Sequence, residues 1–331
     1  MPKTIEISHR TVIFTVLLLI SLWFLYQITD IILTIFVSVI IMSALNPFID
    51  WLERKRLPRG LAIVLVYFVL WGVIGSLIAL IIPALADQSG RLLRLIPASL
   101  SQLDFFNTHQ QEITREILSQ LGGLPGNVIK FAVGLFSNLL GVVTTLFISF
   151  YLILERKKLD RYLTFLLGHT KPDQAKRVIN EIERRLGGWV RGELLLMLAV
   201  GVTTYIGLVV LGVDIPVPLA VIAGLLEIIP NIGPTISAVP AIMVALTINP
   251  LTALATLALY ILVQQAENNL LVPKIMEKTT GVNPLVSILA LMIGFKIAGA
   301  TGAVLSIPIV LVIQIIATEV YSSHHFENLT Q

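Results

Sequence analysis

Long apolar runs separated by short polar segments dominate this chain. A helix needs about 20 apolar residues to cross the ~30 Å hydrocarbon core of a bilayer. Four runs reach that length on their own, and they are Thr11–Ile28, Leu61–Ile82, Phe131–Leu154 and Leu194–Val213. Two shorter runs, Ile31–Leu45 and Leu251–Gln265, reach it when they extend into neighbouring residues and tilt. The pattern predicts an all-α integral membrane protein with six full transmembrane spans.

A different pattern begins after the fifth span. The apolar run Val217–Ile229 is too short to cross a bilayer, and Pro230–Pro234 follows it with two prolines and a glycine, which cannot continue a helix. A second short apolar run, Thr235–Ile248, comes next. Each run would form a helix of about 20 Å at 1.5 Å per residue. Residues 215–248 are therefore predicted to form a re-entrant helical hairpin.

The same pattern returns near the C-terminus. Pro284–Ile297 is a short apolar run, Ala298–Gly302 is a break of small residues, and Ala303–Thr318 is the second run. One span lies between the two units, so the hairpins 215–248 and 284–318 are predicted to enter the membrane from opposite sides. Paired interrupted helices of this kind indicate the binding site of a transporter. The alternative is that the glycines and prolines only permit close helix packing.

The distribution of Lys and Arg predicts the orientation of the chain. One cluster runs from Arg54 to Arg59, and the stretch 155–193 holds ten further basic residues, whereas 84–127 holds only three. Positively charged loops stay in the cytoplasm, and two spans separate the clusters, so both fall on that side. The N- and C-termini are then cytoplasmic.

The spans, hairpins and charge clusters divide the chain into segments. These are 1–83 with spans 1 to 3, an extracytoplasmic amphipathic helical region over 84–127, span 4 in 128–154, basic cytoplasmic interfacial helices over 155–193, a transport core in 194–320 and a polar tail in 321–331. The amphipathic segments are predicted from apolar residues that recur every fourth position.

Composition excludes several classes of protein. Hydrophobic residues make up 56% and charged residues 13% of the chain, and the mean hydropathy is +0.90, which favours membrane lipids as surroundings. The basic residues adjoin apolar runs and do not alternate with aromatics, so nucleic acid is not an expected partner. There is no cysteine, the five histidines lack carboxylates at metal-ligand spacing, and no phosphate-binding GxxxxGK[ST] motif occurs. We expect no metal, no cofactor and no enzymatic activity.

Polar residues at the first break are candidates for binding an ion or a solute. Glu227 adjoins the break. A carboxylate at membrane depth costs about 2.5–3.5 kcal/mol on insertion scales, so the presence of Glu227 there indicates a specific role. It could carry a proton or cation or accept a hydrogen bond from a hydroxylated solute. Alternatively, it caps backbone N–H groups or pairs with Lys296. Asn231 is a candidate contact for an uncharged solute, and Gly233 supplies backbone freedom.

Candidates also occur at the end of the sixth span and at the second break. Gln264 and Glu267 share a helix face, and Asn268 continues the polar run, although a solvated helix end would look the same. Lys296 precedes the second break and could be a counter-ion or could extend to the interface. The break itself supplies three further candidates, which are Gly299, Thr301 and Gly302.

Four motifs together resemble the autoinducer-2 exporter family of bacterial permeases. They are Arg191-Gly-Glu193, Glu227-Ile-Ile-Pro-Asn-Ile-Gly-Pro234, Gln264-Gln-Ala-Glu-Asn-Asn-Leu-Leu-Val-Pro-Lys-Ile-Met276, and Gly299-Ala-Thr-Gly302 leading to Pro308. Two residues depart from the family pattern. Glu193 stands where members often have Gln, and Asn283 where many have His, and both departures bear on what is carried.

The resemblance implies a fold, a function and a location. It implies a multi-pass protein of the bacterial inner membrane, a homo-oligomer, that exports a small polar solute such as an autoinducer-2-like quorum-sensing signal, coupled to a proton or sodium gradient. Some relatives look like sodium or lithium/proton antiporters, so antiport is an alternative. An uncoupled channel or a membrane scaffold is a further alternative.

Overall fold

The computed structural model describes residues 9–100, 139–159, 161–162, 165, 172–230, 232–276 and 283–327, and this part of the chain is helical with no strand. The helices are α1 (His9–Gln27), α2 (Thr29–Arg54), α3 (Arg59–Leu100), α4 (Leu139–Glu155), α5 (Pro172–Val210), α6 (Pro216–Leu226), α7 (Ile232–Leu246), α8 (Pro250–Ala266), α9 (Val272–Met276) and α10 (Pro284–Glu327). A 3₁₀ turn follows α4 at Arg156–Lys158, and a π-helical turn joins α8 to α9 at Glu267–Leu271.

Five of the described helices are long and apolar enough to cross a membrane. The crossing segments are Arg10–Gln27, Thr29–Arg54, Arg59–Leu80, Gln174–Val210 and Leu285–Glu319. The first four overlap predicted spans. The fifth contains the predicted second hairpin and is interrupted by non-helical backbone at Ala298 and Gly299. The two other predicted spans fall on α4 and α8, which have 17 residues each, and residues 131–138 lie outside the described part. The number of full spans, six, stays a prediction.

Two helices run through boundaries that the sequence predicted. Helix α3 continues from its span to Leu100, and the remainder of the predicted extracytoplasmic region, 101–127, lies outside the described residues. Helix α5 begins at Pro172 and continues without interruption into the fifth span. The basic segment over 172–193 is therefore one helix with the span and not a separate interfacial helix; no proline interrupts it, and Gly187, Gly188 and Gly192 are accommodated within the helix.

The described helices form two packed regions. In the N-terminal region, α2, α3 and α4 bury Ile49, Ile63 and Ile153 against one another. In the C-terminal region, α5, α6, α7 and α8 share a second apolar core that includes Leu208 and Leu219. A third cluster connects the two regions through α2, α5 and α10. By contrast, α1 exposes nearly its whole apolar surface, as expected of a helix surrounded by lipid.

A charged network holds the N-terminal region together at the end of α2. The side chain of Arg59 is 13% exposed. Its Nη1 donates to Asp50 Oδ1 and Glu53 Oε2, both at 3.0 Å, and its Nη2 donates to Asn46 Oδ1 at 3.1 Å and to the carbonyl oxygen of Ile153 at 3.3 Å. One cation thus connects α2, α3 and α4, with both of its terminal nitrogens hydrogen-bonded.

Candidate functional site

The first predicted break is present, and its turn is closed by a glycine. Helix α6 ends at Leu226, α7 begins at Ile232, and the two helices pack on each other. The backbone N–H of Gly233 donates to the carbonyl oxygen of Ile229 at 2.9 Å. A Cβ at position 233 would overlap the carbonyl group of Leu226. Only glycine permits this approach of the two backbones.

The second predicted break is a reversal of the chain inside α10. Ala298 and Gly299 have non-helical backbone angles, and Gly299 has φ +58°, a region that favours glycine. A Cβ on Gly294 would overlap the carbonyl oxygen of Gly302, and a Cβ on Gly302 would overlap that of Gly294. In a straight helix these residues would lie about 12 Å apart along the axis, at 1.5 Å per residue. The two halves of α10 therefore fold back on each other.

Three carboxylates from three different elements are buried near the first break. Glu227 follows α6 at the break and is 1% exposed, and Glu267 opens the π turn after α8 and is also 1% exposed. The carboxyl groups of Glu227 and Glu267 are neighbours and lie close enough to interact. Glu193 on α5 is 4% exposed and lies close enough to interact with both. We call these three residues the carboxylate cluster.

The carboxylate cluster is short of hydrogen-bond partners. Gln264 Nε2 donates to Glu267 Oε2 at 3.2 Å. Oε1 of Glu193 and Oε2 of Glu227 are buried without a hydrogen-bond partner, and no ion pair within the described part of the chain neutralises any of the three. Because a buried carboxylate is stabilised by a counter-charge, the cluster suits a proton or a small cation.

The helix type changes at Glu267, where α8 passes into the π turn. The backbone turns from α to π geometry at Glu267, so the following side chains are rotated relative to a continuous α-helix. Glu267 is buried while its neighbours Asn268 and Asn269 are exposed. Turns of this type occur often at functional sites.

The structure gathers only some of the residues that the sequence singled out. Glu227, Gln264 and Glu267 lie together, and Gly233 forms the turn beside them. Asn268, Lys296 and Thr301 are exposed and lie outside the carboxylate cluster. Asn231 falls outside the described residues.

Both alternatives for Glu227 lack support in the structure. No ion pair connects it to Lys296 among the described residues, and no described backbone N–H donates to its carboxylate. The pairing with Lys296 is therefore wrong, because the lysine side chain faces away from the protein interior. Within the described residues, no group of three His, Cys, Asp or Glu has the arrangement of a metal site.

Sequence reasoning missed Glu193 as a member of the site. In the sequence, Glu193 stands out only as a departure from the family pattern, because it adjoins other polar residues before the fifth span and so does not interrupt an apolar run. The signal that could have found it is its position: Glu193 directly precedes the long apolar run that starts at Leu194, so it lies at the edge of the predicted span.

Long apolar helices, two helix breaks and a buried acidic cluster define a multi-pass membrane protein of the transport class. The chain belongs to the AI-2E transporter family. The model of that family, described as "AI-2E family transporter", matches residues 12–322.

Three relatives show how far the similarity extends. The chain is 28% identical to YrrI of Bacillus subtilis (strain 168) over 89% of its own length and 88% of that protein. It is 26% identical to YhhT of Escherichia coli (strain K12), covering 86% and 84%, and 26% identical to sll0060 of Synechocystis sp., covering 88% and 90%. All three are named for transport. The similarity therefore supports a membrane transport role.

Proposed function

We propose that this protein is a secondary transporter that exports a small polar solute, with the carboxylate cluster carrying the coupling proton or sodium ion. The observation that carries the proposal is the burial of Glu227 and Glu267 beside each other at a break between two helices, with no ion pair to a described Lys or Arg side chain. The family relationship supports transport as such.

The electrostatics of the cluster favour an exchangeable positive charge. Two neighbouring carboxylates in a medium of low dielectric repel each other and lose their hydration, so they cannot both be ionised without a proton or cation. A permanent partner such as Arg or Lys would lock the charge in place. Its absence from the described surroundings leaves the site free to take up a positive ion and release it.

The position of the cluster supports coupling to a conformational change. Glu227 lies at the turn between α6 and α7, and Glu267 at the π turn between α8 and α9. Interrupted helices at mid-membrane depth expose backbone groups that bind solutes. Movement of either hairpin would change the distance between the two carboxylates, so occupancy by a proton or cation is linked to the hairpin position.

The charge distribution supports a specific placement in the membrane. We place the protein in the bacterial inner membrane with both termini in the cytoplasm, because the basic stretches 54–59 and 155–193 then both face that side. The two hairpins are re-entrant and enter from opposite sides in this arrangement. A small hydroxylated solute, of the kind the family name suggests, would donate hydrogen bonds to the free carboxylate oxygens.

Extracellular metabolites provide the test of export. Cells with and without the protein are compared by untargeted mass spectrometry of the medium, and the comparison is repeated with Glu227→Gln. We expect at least one small polar metabolite to accumulate outside only with the wild type. Glu181→Gln, which alters a carboxylate already paired with Arg184 and Arg185, is the matched control. Equal media for all four strains would contradict solute export.

Antiport of sodium or lithium against protons is the second candidate, and the burial of Glu227 and Glu267 beside each other favours it. A proton bound at these two carboxylates would be displaced when a cation takes its place, which is the exchange that antiport requires. In proteoliposomes that carry a pH gradient, antiport predicts that added Na⁺ or Li⁺ alone dissipates the gradient. No dissipation, together with an exported metabolite, would exclude this alternative.

A further inference from the structure

Two buried hydroxyl groups, one on α5 and one on α8, lack hydrogen-bond partners within the described part of the chain. Thr204 on α5 is 1% exposed and Tyr260 on α8 is 5% exposed. Neither Thr204 Oγ1 nor the Tyr260 hydroxyl has a hydrogen-bond partner. Buried hydroxyls are normally satisfied by protein or by ordered water. The buried Thr256 follows that rule, since its hydroxyl donates to the backbone carbonyl of Thr252 in the preceding turn.

Helix geometry places both hydroxyls on the faces that carry the carboxylates. Thr204 comes eleven residues after Glu193, which is about three turns of an α-helix and returns to the same face. Tyr260 comes seven residues before Glu267, about two turns along α8. The residues thus form a column on each helix, with a carboxylate at one end and a hydroxyl further along.

Packing contacts bring the two columns together. Tyr260 packs in one apolar cluster with Val200 and Leu208. Thr204 lies midway between those two residues at four-residue spacing, so its side chain faces the same cluster. A Cβ at Gly207, one turn beyond Thr204, would overlap the side chain of Leu259. The helices α5 and α8 are therefore in direct contact at the level of both hydroxyls.

We propose that Thr204 and Tyr260 form a buried water site that extends the ion path from the carboxylate cluster along the seam between α5 and α8. The chemistry of the site is that of a water relay. Each hydroxyl both donates and accepts, so the pair can hold water within an apolar wall and pass a proton or partly hydrate a cation on its way to or from the carboxylates. This inference rests on the proposed function for its role in transport, although the water site itself does not.

Labelling by hydroxyl radicals generated from water tests the site directly. The purified protein is irradiated briefly, and side-chain oxidation is mapped by mass spectrometry. A side chain in contact with bound water is oxidised even when it is buried. We expect Tyr260 to be oxidised several-fold faster than Met42, which is 5% exposed within an apolar cluster. Oxidation of Tyr260 no faster than that of Met42 would overturn the proposal.

Isosteric variants then test the role of the hydroxyls. Thr204→Val should lower the labelling of Tyr260 several-fold and slow ion-coupled transport, Tyr260→Phe should slow transport as well, and Thr204→Ser should restore both properties. Thr256→Val is the matched control, because that buried hydroxyl already donates to the Thr252 carbonyl at 2.8 Å. Size-exclusion chromatography shows that each variant folds.

Two results separate this inference from the proposed function. If Thr204→Val and Tyr260→Phe transport like Thr256→Val while Glu227→Gln abolishes coupling, the relay is wrong and the proposed function stands. If Glu227→Gln leaves coupling unchanged while Tyr260 labelling depends on Thr204, the proposed function is wrong and the water site stands.

Discussion

The two packed regions of this protein treat buried charge in opposite ways. In the N-terminal region, both Nη atoms of Arg59 are hydrogen-bonded, to three side chains and one backbone carbonyl. In the C-terminal region, Glu227 and Glu193 are more deeply buried, yet each retains a carboxylate oxygen without a partner. Arg59 Nε has no hydrogen-bond partner, so the difference lies in charge: a cation between two carboxylates stabilises a fixed arrangement of helices, whereas buried carboxylates without a counter-charge can accept a positive ligand. The comparison thus separates a charge-paired scaffold from the proposed transport site.

The largest effect is expected from closing the first break. Gly233→Ala places a Cβ on the carbonyl group of Leu226, so the turn that holds Glu227 must open. Transport should fall below about a tenth of the wild-type rate, since small displacements of a site cost orders of magnitude in rate. The measurement is flux per folded protein in proteoliposomes.

A glycine outside the breaks is the control for that substitution. Gly75 lies in α3, and a Cβ there would meet no atom within 4 Å, so Gly75→Ala should transport normally. Wild-type flux in Gly233→Ala would show that the close backbone approach is not required.

The next effect concerns stability in the N-terminal region. Arg59→Met removes the cation and leaves Asp50 and Glu53 without that partner. We expect a loss of about 2–3 kcal/mol, below the 3–5 kcal/mol for a fully buried pair because the two carboxylates are partly exposed. Thermal unfolding in detergent measures the loss, and the flux per folded molecule should stay near the wild-type value. A drop in flux without a drop in stability would contradict the assignment of the transport site to the C-terminal region.

Glu227→Gln should act in the opposite sense to Arg59→Met. Glutamine keeps the shape of glutamate and removes a charge that has no counter-ion, so stability should be unchanged or rise by about 1 kcal/mol. Coupled transport and its pH dependence should both be lost, while exchange of bound solute persists. If the carboxylate served only as a cap, the amide oxygen would replace it, and activity with its pH profile would survive.

The smallest effect is expected at the surface. Arg184→Ala breaks a contact with Glu181 in which the arginine side chain is 71% exposed. Exposed ion pairs contribute about 0–1 kcal/mol, and Arg185 still pairs with Glu181, so stability should change by less than about 0.5 kcal/mol. A larger change, measured by the same unfolding assay, would show that the charged start of α5 is part of the packed structure.

Much of the fold followed from the sequence because its signals are local. Apolar length predicts spans, and Pro230 to Pro234 or Ala298 to Gly302 cannot continue a regular helix, so both breaks were predictable at nearly the residues where they occur. Glu227 was also predictable from a local signal, because a carboxylate inside an apolar run is unusual whatever the run packs against.

The remaining features depend on packing between distant segments. Glu193, Glu227 and Glu267 lie on three elements, and only the fold shows that they meet. Lys296 illustrates the reverse case, because its sequence position suits a counter-ion while its side chain is exposed. The continuity of α5 through Arg191 was not predicted. Basic residues indicate where a chain leaves the membrane, and they do not indicate where a helix ends.

Reaction of the carboxylate cluster with a hydrophobic carbodiimide tests the central claim most directly. This reagent modifies protonated carboxyl groups in apolar surroundings, and mass spectrometry identifies the modified residue without knowledge of the solute. The account predicts labelling at Glu227 or Glu267 that decreases as the pH rises, with Na⁺ protecting the site if sodium is the coupling ion, and no such labelling at Glu181. Labelling of neither Glu227 nor Glu267, or labelling independent of both pH and Na⁺, would contradict an exchangeable positive charge at this cluster.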